Sequence, residues 1–83
     1  MKEQEIKEKL KHYILHEIVR NPEYPLTDSE PMISGGLIDS FSLVHIAVFV
    51  ENEFSVKIPD TDLTVENMDT IEAMARRILQ ELD

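Results

Sequence analysis

Three of the four prolines and both glycines of this 83-residue chain fall between Asn21 and Asp39, at Pro22, Pro25, Pro31, Gly35 and Gly36. Proline removes a backbone donor and pushes the residue before it out of the α region, and no period of 3.6 or 2 survives in the stretch. Residues 21–39 therefore read as a loop of about nineteen residues, longer than the roughly 12–15 that structureless connections usually reach. It is not polar filler, because Tyr24, Leu26, Met32, Ile33, Leu37 and Ile38 offer apolar anchors. A long anchored loop in a small domain is more often functional than accidental.

The segments on either side are helical in pattern. Residues 2–19 carry Ile6, Leu10, Ile14 and Ile18 at every fourth position, with Tyr13 and Leu15 widening the stripe, and Asn21-Pro22 ends the run. Residues 40–54 carry Leu43, Ile46, Ala47, Val50 and Phe54 on one face, with Asp39 or Ser40 available as the cap. Val56-Lys57-Ile58-Pro59 reads as an extended connector. Asp60 is a cap for a short helix over 61–67 with Leu63, Val65 and Met68 facing inward. Asp69 or Thr70 then caps a last helix to Leu82, with Ile71, Met74, Ala75, Ile78 and Leu82 as its stripe. The expected fold is all-α: a four-helix bundle, its third helix short, with the long loop between helices 1 and 2, in a single domain over 1–83. A chain of this size buries roughly 60 % of its unfolded surface, enough for one modest core.

Composition excludes several chemistries. The absence of cysteine removes disulfides, thiolate metal sites and cysteine nucleophiles. A net charge of −9 argues against nucleic acid and against anionic membrane surfaces, both of which are bound through Lys/Arg clusters. No 18-residue apolar run and no cleavable signal pattern is present, so a cytoplasmic location is expected; the chain is also expected to be a monomer. The charge is uneven. Residues 1–20 hold five cations against four acids, whereas residues 21–83 hold only Lys57, Arg76 and Arg77 against thirteen acids, a net −10. Such a field either solubilises the surface or steers a partner with a basic patch.

The sharpest local feature is Gly35-Gly36-Leu37-Ile38-Asp39-Ser40-Phe41 at the junction of the loop and the second helix. Two glycines permit positive φ, and an acid and a hydroxyl then sit where helix N-terminal amides are exposed. An isolated Asp-Ser there reads as a cap. Downstream, however, Phe41, Val44, Val48 and Phe49 lie off the core stripe. Positions 41, 44 and 48 repeat at i, i+3 and i+7, giving a second apolar face that begins beside the serine. A small domain has no need of two such faces for its core, so this one suggests docking.

These residues resemble the carrier-protein family of acyl, aminoacyl and peptidyl carriers. Gly36-Leu37-Ile38-Asp39-Ser40-Phe41 is similar to that family's Gly-x-x-Asp-Ser-Leu modification site. Phe54-Ser55-Val56-Lys57-Ile58-Pro59 and Asp69-Thr70-Ile71 follow in the family's register, and the resemblance spans about residues 4–82. It implies that a phosphopantetheinyl transferase attaches 4′-phosphopantetheine to Ser40 through a phosphodiester. Helix-terminal amides would favour that phosphate. The arm would then hold an acyl group as a thioester, filled by an acyl- or aminoacyl-loading ligase and discharged to acyl-transfer or synthase enzymes. The chain itself would be non-catalytic. Asp39 would support the site by placing the transferase's metal or a basic partner group. Phe41, Val44, His45, Val48, Glu51 and Glu53 would form the partner surface. Phe41 stands where leucine is commoner, and the second helix carries Ser42, His45, Val48 and Asn52 where fatty-acid carriers are richer in acids. These departures favour a specialised stand-alone acyl carrier. Aminoacyl, D-alanyl or peptidyl carriers are the alternatives, and an unmodified helical interaction module is the rival of a different class.

Other constellations fail on geometry. Five helical residues turn about 500°, so His45 points about 140° from Ser40 and takes no proton from it. His12 and His16 share a face but lack a third ligand. Asp60-Thr61-Asp62 lacks the glycine and terminal glutamate of a calcium loop.

The charge distribution generates a paired expectation. Repulsion among the acids makes the chain less stable at low salt, and added salt or divalent cations raise its melting temperature. Attraction of a basic partner moves the opposite way, so transferase turnover falls over the same salt series. Flat melts together with salt-independent modification would show that the acidic surface is solubilising only.

Overall fold

Among residues 2–82, which this computed structural model describes, four helices appear and no strand. Met1 and Asp83, the ends of the expected 1–83 domain, lie outside the described residues. Helix α1 spans Glu3–Tyr13 and runs on into a wider π-helical turn, Ile14–Val19. Helices α2 (Ser42–Phe54), α3 (Val65–Met68) and α4 (Ile71–Leu82) follow, with a short 3₁₀ turn at Asp60–Asp62. The helix expected over 2–19 is thus one continuous element with a change of winding. Arg20 closes it in the left-handed region, φ 59°, a position that usually takes glycine.

The apolar stripes converge, except that Leu82, expected to end the α4 stripe, is exposed. Ile6, Leu10 and Ile14 from α1, Leu43, Ile46, Val50 and Phe54 from α2, and Ile71, Met74, Ala75 and Ile78 from α4 form one core with Met68, Val56 and Ile58. α1 packs along α4, and α3 packs on α4. The radius of gyration is 11.4 Å, close to the roughly 11.8 Å that chain-length scaling gives for one folded domain of this size.

The third region departs from expectation. In place of a helix over 61–67, a 3₁₀ turn and a one-turn helix meet at Leu63 and Thr64. Asp60 opens the 3₁₀ turn and caps nothing with its side chain, whereas the Thr64 hydroxyl accepts the Asn67 N–H at 3.3 Å and caps α3. Val65 is consequently exposed rather than inward, while Met68 is buried. Arg77 ties the turn to α4 by reaching Asp62 at 2.8 Å and Glu81 at 2.7 Å.

The long loop is held by two carboxylates. Asp28 pairs with Lys7 and Lys11 of α1, and its backbone carbonyl accepts the Glu72 N–H of α4 at 3.0 Å. Asp69 accepts the Ile33 N–H at 2.7 Å, the Ser34 N–H at 2.9 Å and the Ser34 hydroxyl at 2.6 Å. The Asp69 carbonyl also takes the Met32 N–H at 2.7 Å. Asp69 is therefore no cap for α4. Thr70 is, its hydroxyl accepting the Ala73 N–H at 3.0 Å. Leu26, Met32 and Ile38 are buried anchors, as expected, while Tyr24, Ile33 and Leu37 are partly buried.

Both carboxylates titrate below the ordinary value near 3.8. For Asp28 the main cause is its hydrogen bond with Lys11; for Asp69 burial opposes ionisation, but the three donors from Ser34 and Ile33 outweigh it. A folded-state pKa below the unfolded value contributes stability that is present above the unfolded pKa and lost as pH falls through the folded one. The melting temperature is accordingly expected to fall as pH drops from about 5 towards 3. In Asp28→Asn/Asp69→Asn the fall should be shallower, because neither carboxylate remains to be protonated. An unchanged acid slope in that double variant would remove the two aspartates as its source.

Candidate functional site

The turn into α2 is built from two glycines with different duties. A Cβ on Gly35 would stand 2.3 Å from the Pro31 carbonyl oxygen, so any side chain there collides with the backbone. Gly36 instead has φ +83°, which side-chain-bearing residues rarely adopt. Between them the chain reverses, the Ile38 N–H returns to the Met32 carbonyl at 3.0 Å, and Ile38 is buried. Asp39 and Ser40 then emerge exposed.

Of the two residues expected to share the cap, Asp39 takes it. Its Oδ1 accepts the Ser42 N–H at 3.0 Å and the Ser42 hydroxyl at 3.2 Å. The helix proper begins at Ser42 rather than at residue 40, led in by a tight turn. In that turn the Ser42, Leu43 and Val44 amides bond the carbonyls of Asp39, Ser40 and Phe41 at 3.2, 3.2 and 3.3 Å. These three amides, which the sequence offers to a phosphate, are already engaged. Among the described residues the Ser40 hydroxyl makes no side-chain hydrogen bond. It is solvent-facing and takes no part in holding the fold.

Beyond Ser40 lies the second apolar face. Phe41 is 81 % exposed, Val44 58 % and Val48 55 %, while the core stripe of the same helix is buried. His45 is exposed on this side of the helix as well. Glu51 joins the group at a shallow groove of about 150 Å³ between α2 and the Asp60–Asp62 turn, which Val44, Ala47, Val48, Ile58 and Leu63 also line. Two residues placed near this face by sequence belong elsewhere. Phe49 stacks on Tyr13 with ring centroids 4.2 Å apart and meets Phe54 edge-on, so it seals α1 against α2. Glu53, about 140° round the helix from Val48, pairs with Lys9 of α1 at 2.9 Å. The expected partner residues thus divide into a set with Phe41, Val44, His45, Val48 and Glu51, and Glu53 apart from it.

Sequence reasoning read Tyr13 only as part of the α1 stripe and Arg20 only as a charge. The Tyr13 hydroxyl donates to the His45 carbonyl at 3.3 Å, and a cleft of about 390 Å³ between the end of α1 and the start of α2 is lined by Tyr13, Glu17, Ile18, Arg20, Ser42 and His45. Burial, followed by the Glu17 charge, pushes the Tyr13 phenol above its ordinary value. The one available sequence signal was that Arg20 is the only Lys or Arg between Lys11 and Lys57. His12 and His16 stack at 4.1 Å between centroids, and the described residues contain no cluster of three or more His, Asp or Glu able to hold a metal. None of the described helices is long and apolar enough to cross a membrane.

No protein-family model matches the chain, and no curated protein matches it in sequence.

The division of roles between neighbours gives a measurable contrast. Ser40→Ala is expected to change stability by less than about 0.5 kcal/mol, as at a surface position without structural contacts. Asp39→Ala should cost about 1 kcal/mol, the usual loss for an N-terminal cap. Denaturant melts of the two variants compare them directly, and equal losses would contradict the assignment of the cap to Asp39.

Proposed function

We propose that the chain is an acyl carrier of acyl-carrier-protein-like fold, modified on Ser40 with 4′-phosphopantetheine. One observation carries the reading: an exposed hydroxyl without a side-chain hydrogen bond, at the head of a helix whose solvent face begins with an 81 % exposed phenylalanine. The residues present are compatible with the group, because the Ser40 oxygen is accessible and replacing its proton breaks no side-chain hydrogen bond among the described residues. When bound, phosphopantetheine supplies a thiol on a flexible arm, which this cysteine-free chain lacks, and that thiol holds an acyl group as a thioester.

The chain's own residues then have distinct tasks. Gly35 and Gly36 turn the backbone so that Ser40 projects from the body. Asp39 fixes the first turn of α2 through Ser42, which holds the serine at a constant height and angle. Its second carboxylate oxygen remains for the transferase's metal or a basic group. Phe41, Val44 and Val48 give partners an apolar surface adjoining the modified residue, with His45 and Glu51 beside them. Those partners are the transferase, an acyl- or aminoacyl-loading ligase, and acyl-transfer or synthase enzymes.

The exposed face alone also suits an unmodified interaction module, and one experiment separates the two. Intact-mass analysis of the chain, incubated with a phosphopantetheinyl transferase and coenzyme A, should show one phosphopantetheine increment on Ser40, and none in Ser40→Ala. No increment on the native chain with an active transferase would leave the interaction module in its place. Val48→Asp should slow modification about tenfold or more while leaving the melting temperature nearly unchanged, since Val48 is over half exposed. A large loss of stability in Val48→Asp would assign that residue to the core instead.

A further inference from the structure

His12 and His16 stand four residues apart, on either side of the change of winding in the first helix. Over four residues an α-helix turns about 400°, which leaves the second side chain about 40° past the first. From Ile14 onward the helix is π-helical and wider, so each residue advances less around the axis. The two side chains are thereby drawn towards eclipse, and their rings stack with centroids 4.1 Å apart and planes 28° from parallel. π-helical turns are rare and concentrate at functional sites. This one aligns two of the chain's three histidines.

Both imidazoles are exposed, and neither enters an ion pair or a side-chain hydrogen bond among the described residues. Sealing α1 against α2 falls to Tyr13, between them in sequence, through its stack on Phe49. The surroundings favour a cation. Glu8 and Glu53 share with His12 a depression of about 340 Å³, where Lys9 is already paired with Glu53 at 2.9 Å. Glu17 follows His16 directly, and the whole chain carries −9. Along the same row of the helix, Arg20 lies one turn beyond His16, on the far side from Glu8.

We infer that His12 and His16 chelate a divalent ion of the nickel, copper and zinc group, each through one imidazole nitrogen. Imidazole suits these ions, whereas magnesium and calcium take oxygen ligands. The described residues contain no cluster of three or more metal-binding side chains, so water completes the coordination shell. Being exposed, the rings are free to turn about χ2 and aim one nitrogen each at a common ion. One ligand belongs to the α-helical part of the element and the other to its π-helical part, so a bound ion ties the two windings together. The site is independent of the carrier reading, which uses neither histidine.

Melts of the full chain in equal concentrations of Ni²⁺ and Mg²⁺ test the site, because both ions screen the acids and only one favours imidazole. Nickel should raise Tm by about 4 °C more than magnesium. His12→Asn and His16→Asn should each lose nearly all of that excess, since a chelate needs both rings. A loss of about half in each variant would reveal two separate imidazoles and overturn the chelate. So would a nickel excess that persists in the double variant, or its absence from the native chain. Metal-free melts of the variants check that these exposed positions leave the fold intact. A second measurement uses the native chain alone: substoichiometric Cu²⁺ should broaden the NMR ring-proton signals of His12 and His16 together, before those of His45. Earlier broadening of His45 overturns the assignment. Equilibrium dialysis should give one nickel ion per chain, and one per two chains would overturn chelation within a single helix.

Discussion

Ordering a loop of some twenty residues costs about 1–2 kcal/mol of backbone entropy per residue, and this loop has neither helical nor sheet hydrogen bonds to offset it. The restraint converges on Asp69. Its carboxylate takes three donors from Ile33 and Ser34, and its carbonyl takes a fourth from Met32. Those contacts seat Met32 in the core and fix the start of the glycine turn, from which Asp39 and Ser40 project. The head of α2 is thereby positioned from the start of α4, through the interior of the domain. Asp28 adds a second anchor four residues earlier, linking Lys7 and Lys11 of α1 to the backbone of Glu72. Both sets of contacts hold the middle of the loop, at Asp28 and at Met32–Ser34.

The charge pattern is ordered by the same contacts. Three lysines of α1 are spent on Glu3, Asp28 and Glu53, and the two arginines of α4 on Glu72, Asp62 and Glu81. On the solvent face of α2, Glu51 has both Lys57 and Asp60 across the groove from it. On the proposed reading, long-range attraction would come from the acidic body and close contact from the apolar residues of the α2 face. Screening by salt acts on the first and leaves the second largely intact.

Helical periodicity made α1, α2 and α4 legible because each buries a stripe wide enough to dominate its sequence. The exposed positions of Phe41, Val44 and Val48 were legible for the complementary reason, being apolar residues off that stripe. Failures came where a residue's partner is distant in sequence. Asp69 has the local signature of a cap, and nothing nearby announces Ile33 and Ser34 as its ligands. Phe49 and Glu53 looked free until α1 supplied Tyr13 and Lys9. Val65 was assigned inward by a helix that the structure splits at Thr64. The winding change at Ile14–Val19 left no mark in the pattern, since Ile14 and Ile18 suit either winding. The exposed serine was found from its local motif, but its unbonded hydroxyl and the engaged amides around it are facts of three-dimensional structure.

Adjacent residues at the head of α2 carry opposite duties, and the order matters. Asp39 is bound twice to Ser42 and cannot be altered without loosening the first turn; Ser40 has no such side-chain bond and can be altered freely. A serine serving as the cap would on modification give that role to the phosphate oxygens, because its own oxygen would then be bonded to phosphorus. Placing the acid one residue earlier separates stability from chemistry, so the domain can keep one fold with or without a group attached. Phe41 completes the arrangement on the other side. At 81 % exposure it contributes little to the core, and its apolar surface is fully available to whatever approaches the serine. On the proposed carrier reading, the cap before the hydroxyl and the apolar surface after it would present a single oxygen atom to an incoming enzyme.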